Sequence, residues 1–144
     1  MACCEGARDY ALLLVLLRLG VRASEACAIR RSSIRHTKGR WVVTLKVKGG
    51  RERTLPLPND VKAAIDAYVA IDASRRALVH SGGADAPLFQ PHVNYRTLVF
   101  DRPLSTRMVG YIVGRWADFA GIGKLSPHDL RRTAITRALD QGLS

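Results

Sequence analysis

Hydrophobic positions along the chain follow two periods, one typical of helices and one typical of strands. Apolar residues cover almost every side of Ala7–Leu19, which predicts a helix that ends at Gly20 and lies at the centre of the core. Helical spacing and capping residues predict four further helices: Val21–Arg30, Pro58 to about Ala73, Ser105–Ala120 and Ser126–Gly142.

The last two predicted helices have clear end signals. Ser105 and Ser126 are good N-caps, and Pro127 fits the first helical position, where no N–H is needed. Gly121 and Gly142 can adopt the left-handed conformation that closes a helix. One apolar stripe on the first of these two helices is predicted to face the core: Met108, Ile112, Trp116 and Phe119.

Strand-like alternation occurs in Trp41–Val47 and again in Arg53–Leu57, which predicts a β-hairpin. A two-residue loop would place the apolar residues of the two strands on opposite faces, so we favour a three-residue loop, Gly49–Arg51. That loop puts five apolar residues on one face: Val43, Leu45, Val47, Leu55 and Leu57. Lys48 then leaves the ladder at the tip and can reach a ligand, although the hairpin alone favours a solvated turn lysine.

Two segments show neither period. Arg31–Gly39 is polar, and Arg75–Pro103 is interrupted by Gly and Pro, with only Leu88–Phe89 resembling a very short strand. His80 and His92 fall in the second segment. They have no Cys or carboxylate partner at ligand spacing, so we expect both to be surface residues outside any site.

Composition indicates one compact domain with an anionic partner. The 144 residues are 47% hydrophobic, enough for one core. Twenty-three Lys and Arg against twelve Asp and Glu give a formal charge of +11, which favours nucleic acid, although a merely basic protein stays possible. The longest apolar run, Tyr10–Leu17, is too short to span a membrane, and no signal peptide is evident, so we expect a cytoplasmic protein.

The three cysteines do not form a recognisable framework. Cys3 and Cys4 are adjacent and Cys27 stands alone, a spacing that predicts neither disulfides nor a zinc site. We therefore expect free thiols and no metal.

Candidate chemistry lies at two places. His128 and Arg131 are three residues apart, so they share one face near the start of the last helix and suit a phosphate. Glu25 follows Arg22 by three residues and could hold its guanidinium by a bidentate contact. The alternatives are an ordinary amphipathic helix and a local surface ion pair.

Four motifs in order resemble the catalytic domain of tyrosine recombinases, the phage integrase family. They are Val21-Arg-Ala-Ser-Glu25, Lys48-Gly-Gly-Arg-Glu-Arg-Thr-Leu-Pro-Leu57, Pro87-Leu-Phe89 and Leu125-Ser-Pro-His-Asp-Leu-Arg131. The resemblance implies an α+β fold that is mainly α: a helical DNA breaking and rejoining core with a small antiparallel hairpin or three-stranded sheet. It also implies site-specific recombination of double-stranded DNA without a metal or other cofactor, by a protein that assembles as a tetramer.

The resemblance assigns roles to the candidate residues. Arg22 and Arg131 would hold the oxygens of the scissile phosphate, with Glu25 orienting Arg22. Lys48 would protonate the departing 5′ oxygen, and His128 would hydrogen-bond the phosphate. Five outlying basic residues would contact the flanking DNA backbone: Arg30, Arg31, Arg35, Lys38 and Arg40.

The sequence departs from the family pattern at its end. Family members carry a further His or Trp and then the nucleophilic tyrosine after the His-x-x-Arg helix, whereas this sequence stops at Ser144. We therefore expect a partial catalytic domain, without the N-terminal core-binding domain and the tyrosine segment, that is monomeric and binds DNA without cleaving it. The alternatives are a non-catalytic DNA-binding regulator or degenerate fragment, and a phosphatase-like enzyme that uses His128 and Arg131.

Overall fold

The computed structural model describes residues 4–76, 85–91 and 102–142. Its elements, in chain order, are α1 (Cys4–Leu19), α2 (Ala23–Cys27), β1 (Ile34–Thr37), β2 (Arg40–Lys46), β3 (Glu52–Pro56), α3 (Asn59–Arg76), α4 (Thr106–Ala120) and α5 (Pro127–Asp140). The predicted class, mainly α with a small antiparallel sheet, is confirmed. His80 and His92, predicted to be surface residues, lie outside the described residues.

The first helix forms the centre of the core, as its apolar surface predicts. Ala11, Leu12, Val15 and Leu16 are completely buried, and α1 packs chiefly against α3 and α5. Gly20 ends the helix in the left-handed conformation, with φ of 65°. The chain therefore turns at Gly20 and enters α2 three residues later.

The sheet has the order β1-β2-β3, and its β2–β3 register differs from the predicted one by two residues. Val43 lies opposite Leu55, and the Val47 N–H donates to the Arg51 carbonyl at 2.9 Å, so the loop is Lys48–Gly50. The last residue of such a loop is left-handed, which suits Gly50 (φ 76°) better than the predicted Arg51. A shift of two residues keeps every side chain on its face, so the predicted apolar face is correct.

The third strand, β1, was not located by its sequence pattern. It lies within the polar segment Arg31–Gly39, pairs with β2, and places Ile34 opposite Val43. The short strand predicted at Leu88–Phe89 is wrong, because the described residues 85–91 contain no strand and pair with the rest of the chain through an isolated bridge between Pro87 and Arg30. Burial explains the apolar character of Leu88–Phe89, since both side chains are enclosed in the core.

The fourth helix has the predicted limits but a partly different buried face. Ser105 caps it through the Met108 N–H, and Gly121 closes it with φ of 69°. The predicted core stripe is wrong at Met108 and Phe119, which are 40% and 83% exposed. The buried face consists of Val109, Ile112, Val113 and Ala117.

Candidate active site

Arg22 is held at the start of α2 by its backbone. It is the N-cap of that helix, with extended φ and ψ of −73° and 154°, and its N–H donates to Glu25 Oε1 at 2.7 Å. The predicted bidentate contact from Glu25 to the guanidinium is not what the structure shows. Because the buried carboxylate binds the backbone amide instead, the exposed guanidinium forms no hydrogen bond or ion pair with any described residue.

The Arg22 cavity is an open space of about 490 Å³ between the start of α2 and the β2–β3 loop. It is lined by Arg22, Ser24, Glu25, Lys46, Val47 and Lys48. The structure thus brings Lys48 to the same cavity as Arg22 and Glu25, which are distant from it in sequence. Ser24 and Lys46 were not predicted. The signal for Lys46 was its position two residues before Lys48, which puts both on one face of the hairpin as predicted from the sequence.

Arg131, on α5, does not line the Arg22 cavity, but it contacts the backbone close to Arg22. Its Nε donates to the Gly20 carbonyl at 2.9 Å, only two residues before Arg22. The sequence pattern identified Gly20 as a helix end but could not identify this contact, because no pattern reports where a carbonyl points. His128 lies on the first turn of α5 and is exposed, and it does not line the Arg22 cavity.

The start of α5 is closed by its own side chains. The Asp129 carboxylate accepts the Ser126 N–H at 2.8 Å, and this hydrogen bond, followed by that from the Ser126 hydroxyl, lowers the pKa of Asp129. The Asp129 N–H in turn donates to the Ser126 hydroxyl. The Asp129 N–H is therefore already bound to Ser126 and is not available to an anion. An anion at this end of α5 would bind the side chains of His128 and Arg131.

The outlying basic residues fall into two groups. Arg35, Lys38 and Arg40 all lie on the β1–β2 hairpin, whose turn gives Lys38 a left-handed φ of 50°. The Arg35 guanidinium donates to the Thr44 hydroxyl at 3.1 Å. Arg30 donates to the Asp85 carbonyl at 2.6 Å, and Arg31 begins the short 3-10 helix that follows it. The hairpin group is the more available for a partner.

Metal-binding clusters and membrane-spanning helices are both absent from the part of the chain that the structure describes. Among residues 4–76, 85–91 and 102–142, no group of three or more His, Cys, Asp or Glu side chains could hold a metal ion. Within those same ranges, no helix has both the length and the apolar character that a membrane crossing requires.

Sequence comparison relates the whole chain to one family. The model of the phage integrase family matches residues 1–144. The tyrosine recombinase XerC of Thermodesulfovibrio yellowstonii is 31% identical over 136 residues, covering 94% of this chain and 42% of that protein. The XerC of Corynebacterium efficiens is 35% identical over 138 residues, covering 96% and 40%. The chain thus spans less than half the length of these relatives.

Solved structures have the same fold. The XerH site-specific recombinase bound to its difH substrate in a pre-cleavage complex superposes with a TM-score of 0.75 and 20% identity, covering 98% of this chain and 38% of that one. The XerA recombinase gives a TM-score of 0.73 and 23% identity, covering 97% and 46%. Sequence and fold agree, and the chain belongs to the phage integrase family.

Proposed function

We propose that this chain is the catalytic-domain segment of a site-specific DNA recombinase and that it binds the backbone of duplex DNA around one scissile phosphate. The observation that carries the proposal is the contact between Arg131 and Gly20, because it ties a second arginine to the backbone two residues before the exposed Arg22. Two guanidinium groups can share the oxygens of one phosphate and stabilise the charge that develops during its transfer.

The remaining candidates have complementary roles in this proposal. Lys48 approaches from the loop that borders the Arg22 cavity and protonates the departing 5′ oxygen. His128 hydrogen-bonds the phosphate from the first turn of α5, and Glu25 positions Arg22 through its backbone amide. The basic residues Arg30, Arg31, Arg35, Lys38 and Arg40 contact the flanking backbone, which adds affinity without reading sequence.

In a longer protein, we propose, the same site forms a 3′-phosphotyrosyl bond with DNA, needs no cofactor, and works within a tetramer. The chain by itself is expected to be monomeric. The family match favours this function over that of a non-catalytic DNA-binding regulator. Light scattering of the chain, free and with DNA, tests the assembly state.

The proposed phosphate site is tested by DNA binding of two double variants. Arg22→Ala/Arg131→Ala removes both guanidinium groups, whereas Arg102→Ala/Arg107→Ala removes equal charge from exposed positions outside the cavity. We expect about a 100-fold loss of affinity for the first and less than about five-fold for the second, because hydrogen bonds to a charged phosphate contribute about 1.5–3 kcal/mol each. Equal losses would mean that the charge acts diffusely and that no phosphate site exists.

Salt dependence provides a second measurement. If at least two phosphates are neutralised, the affinity of the wild-type chain for duplex DNA falls about ten-fold between about 50 and about 200 mM salt. An affinity that does not change over this range would refute the electrostatic basis of the proposal.

A further inference from the structure

The carbonyl of Gly20 is buried at the end of α1, where a polar group needs a partner. Gly20 itself is enclosed, and its carbonyl accepts the Arg131 Nε–H at 2.9 Å. The negative end of the α1 dipole lies at the same place, which favours a guanidinium there. The contact therefore satisfies the backbone of one helix with the side chain of another.

This hydrogen bond determines how the Arg131 guanidinium is presented. The group is planar and carries five N–H donors in a fixed fork. Once Nε–H is bound to a rigid carbonyl, the plane of the fork is fixed and the four Nη donors remain for another ligand. A lysine at this position would have one nitrogen for both tasks and no plane to fix.

The distance between α1 and α5 at this point is set by two small residues. A Cβ atom on Gly20 would lie 3.2 Å from Ala134 Cβ, closer than side-chain atoms normally approach, and the residue has a left-handed φ of 65°. Ala134 is three residues after Arg131 and therefore lies on the neighbouring turn of α5. A methyl group on Gly20 therefore requires Ala134 to move away by a few tenths of an ångström, and a shift of α5 in that direction lengthens the hydrogen bond from Arg131.

We propose that Gly20 is a positioning residue for Arg131: its carbonyl fixes the guanidinium plane, and its lack of a side chain against Ala134 keeps α5 within hydrogen-bonding distance. The proposal rests on the proposed function only for the identity of the ligand, the DNA phosphate. The contact itself exists without DNA and is testable without it.

The first test is the NMR signal of the Arg131 Nε–H in the free protein, assigned by its loss in Arg131→Lys. We expect this proton to exchange with water more slowly than that of the exposed Arg107, because it is bound to a buried carbonyl. In Gly20→Ala the protection is lost, and in Gly20→Ala/Ala134→Gly it returns, since the second change removes the atom that the new Cβ meets. Equal exchange at Arg131 and Arg107 in the wild type would overturn the proposal.

The second test separates positioning from stability. We expect Gly20→Ala to lower DNA affinity about ten-fold and the double variant to recover to within about three-fold of the wild type. The unfolding free energy does not recover in parallel, because the left-handed strain remains and a new glycine in α5 weakens that helix. Affinity that follows stability through both variants would show that Gly20 has only a structural role.

A third variant tests the proposal even if Gly20→Ala does not fold. Arg131→Lys keeps the charge but loses the fixed fork, so we expect an affinity loss nearly as large as that of Arg131→Ala, whereas Arg107→Lys retains wild-type affinity. Wild-type affinity in Arg131→Lys would refute the positioning role. A protected Nε–H in a chain that does not bind DNA would instead refute the proposed function and leave the contact intact.

Discussion

Arg131 and Lys48, two residues of the candidate site, are held in opposite ways. Arg131 is half-buried and its Nε–H is bound to the backbone at the end of the most buried helix. Lys48 is the first residue of a three-residue loop, is exposed, and has no hydrogen-bond or ion-pair partner among the described residues. A group that binds charge benefits from a fixed position, whereas a proton donor must approach the atom it protonates.

Arg22 combines the two arrangements. Its backbone is fixed by the buried Glu25 carboxylate, but its guanidinium extends freely into the cavity. A single residue can therefore have a fixed backbone and a mobile charged group. We expect substitutions of the groups that fix the backbone to lower stability, and substitutions of the free charged groups to lower DNA affinity.

The largest effect is expected from Glu25→Ala, which removes the acceptor for the Arg22 amide at 2.7 Å. We expect the unfolding free energy to fall by about 2 kcal/mol, because the variant leaves a cap unsatisfied and a space in a buried position. Urea unfolding measures the change. The control is Asp66→Ala, which removes an exposed carboxylate from its pair with the partly buried Lys62 and should lower stability by less than about 1 kcal/mol. Similar losses in both variants would contradict the fixed backbone at Arg22.

A smaller loss is expected from Gly50→Ala in the loop that carries Lys48. Gly50 has φ of 76°, and a Cβ added there would meet no described atom within 4 Å beyond its chain neighbours. The loss therefore comes only from the left-handed conformation and amounts to about 1 kcal/mol of unfolding free energy. The control is Gly110→Ala, which introduces a methyl group into open space on α4 and should stabilise the protein. Destabilisation by both variants would mean that steric crowding, and not the left-handed backbone conformation of Gly50, is the reason for the loss.

Lys48→Ala is expected to separate binding from stability. Unfolding free energy should change by less than about 0.5 kcal/mol, because the side chain has no partner among the described residues. DNA affinity should fall about five-fold and the salt dependence should lose about one phosphate contact. Lys124→Ala, an exposed lysine outside the Arg22 cavity, is the control and should retain wild-type affinity. A clear loss of stability in Lys48→Ala would show that the loop tip is packed.

The smallest effect concerns the start of α5 and depends on pH. The pKa of Asp129 is lowered chiefly by the Ser126 backbone N–H, so the ionised form stabilises the folded state. This stabilisation is complete above the ordinary carboxyl pKa, near 3.8, and is lost as pH falls through the lowered value. The Tm of Asp129→Asn should therefore lie below that of the wild type at neutral pH and approach it in strong acid. A Tm difference that persists in acid would contradict the role of the charge.

Sequence patterns located most helices well because their ends are chemical signals. Ser105 and Gly121 bound α4, and Ser126 and Pro127 begin α5, as predicted. The buried face of α4 was predicted only in part. A stripe can be drawn through Met108 as well as through Val109, but the charged residues Arg107, Arg115 and Asp118 lie opposite Val109, so the full periodicity favoured the buried face that the structure shows.

The sequence by itself determined the helices, the β2–β3 hairpin and the chemical types of the candidate site, but not the strand β1. It identified Arg22, Lys48 and Arg131 as candidates, because local spacing, capping residues and the family motifs are properties of neighbouring positions. Only the tertiary structure decided what holds those residues. The Gly20 carbonyl that binds Arg131 is 111 positions away in sequence, and the direction of a carbonyl depends on how two helices pack. Side-chain patterns report which residues are available, whereas packing determines which backbone atoms they meet.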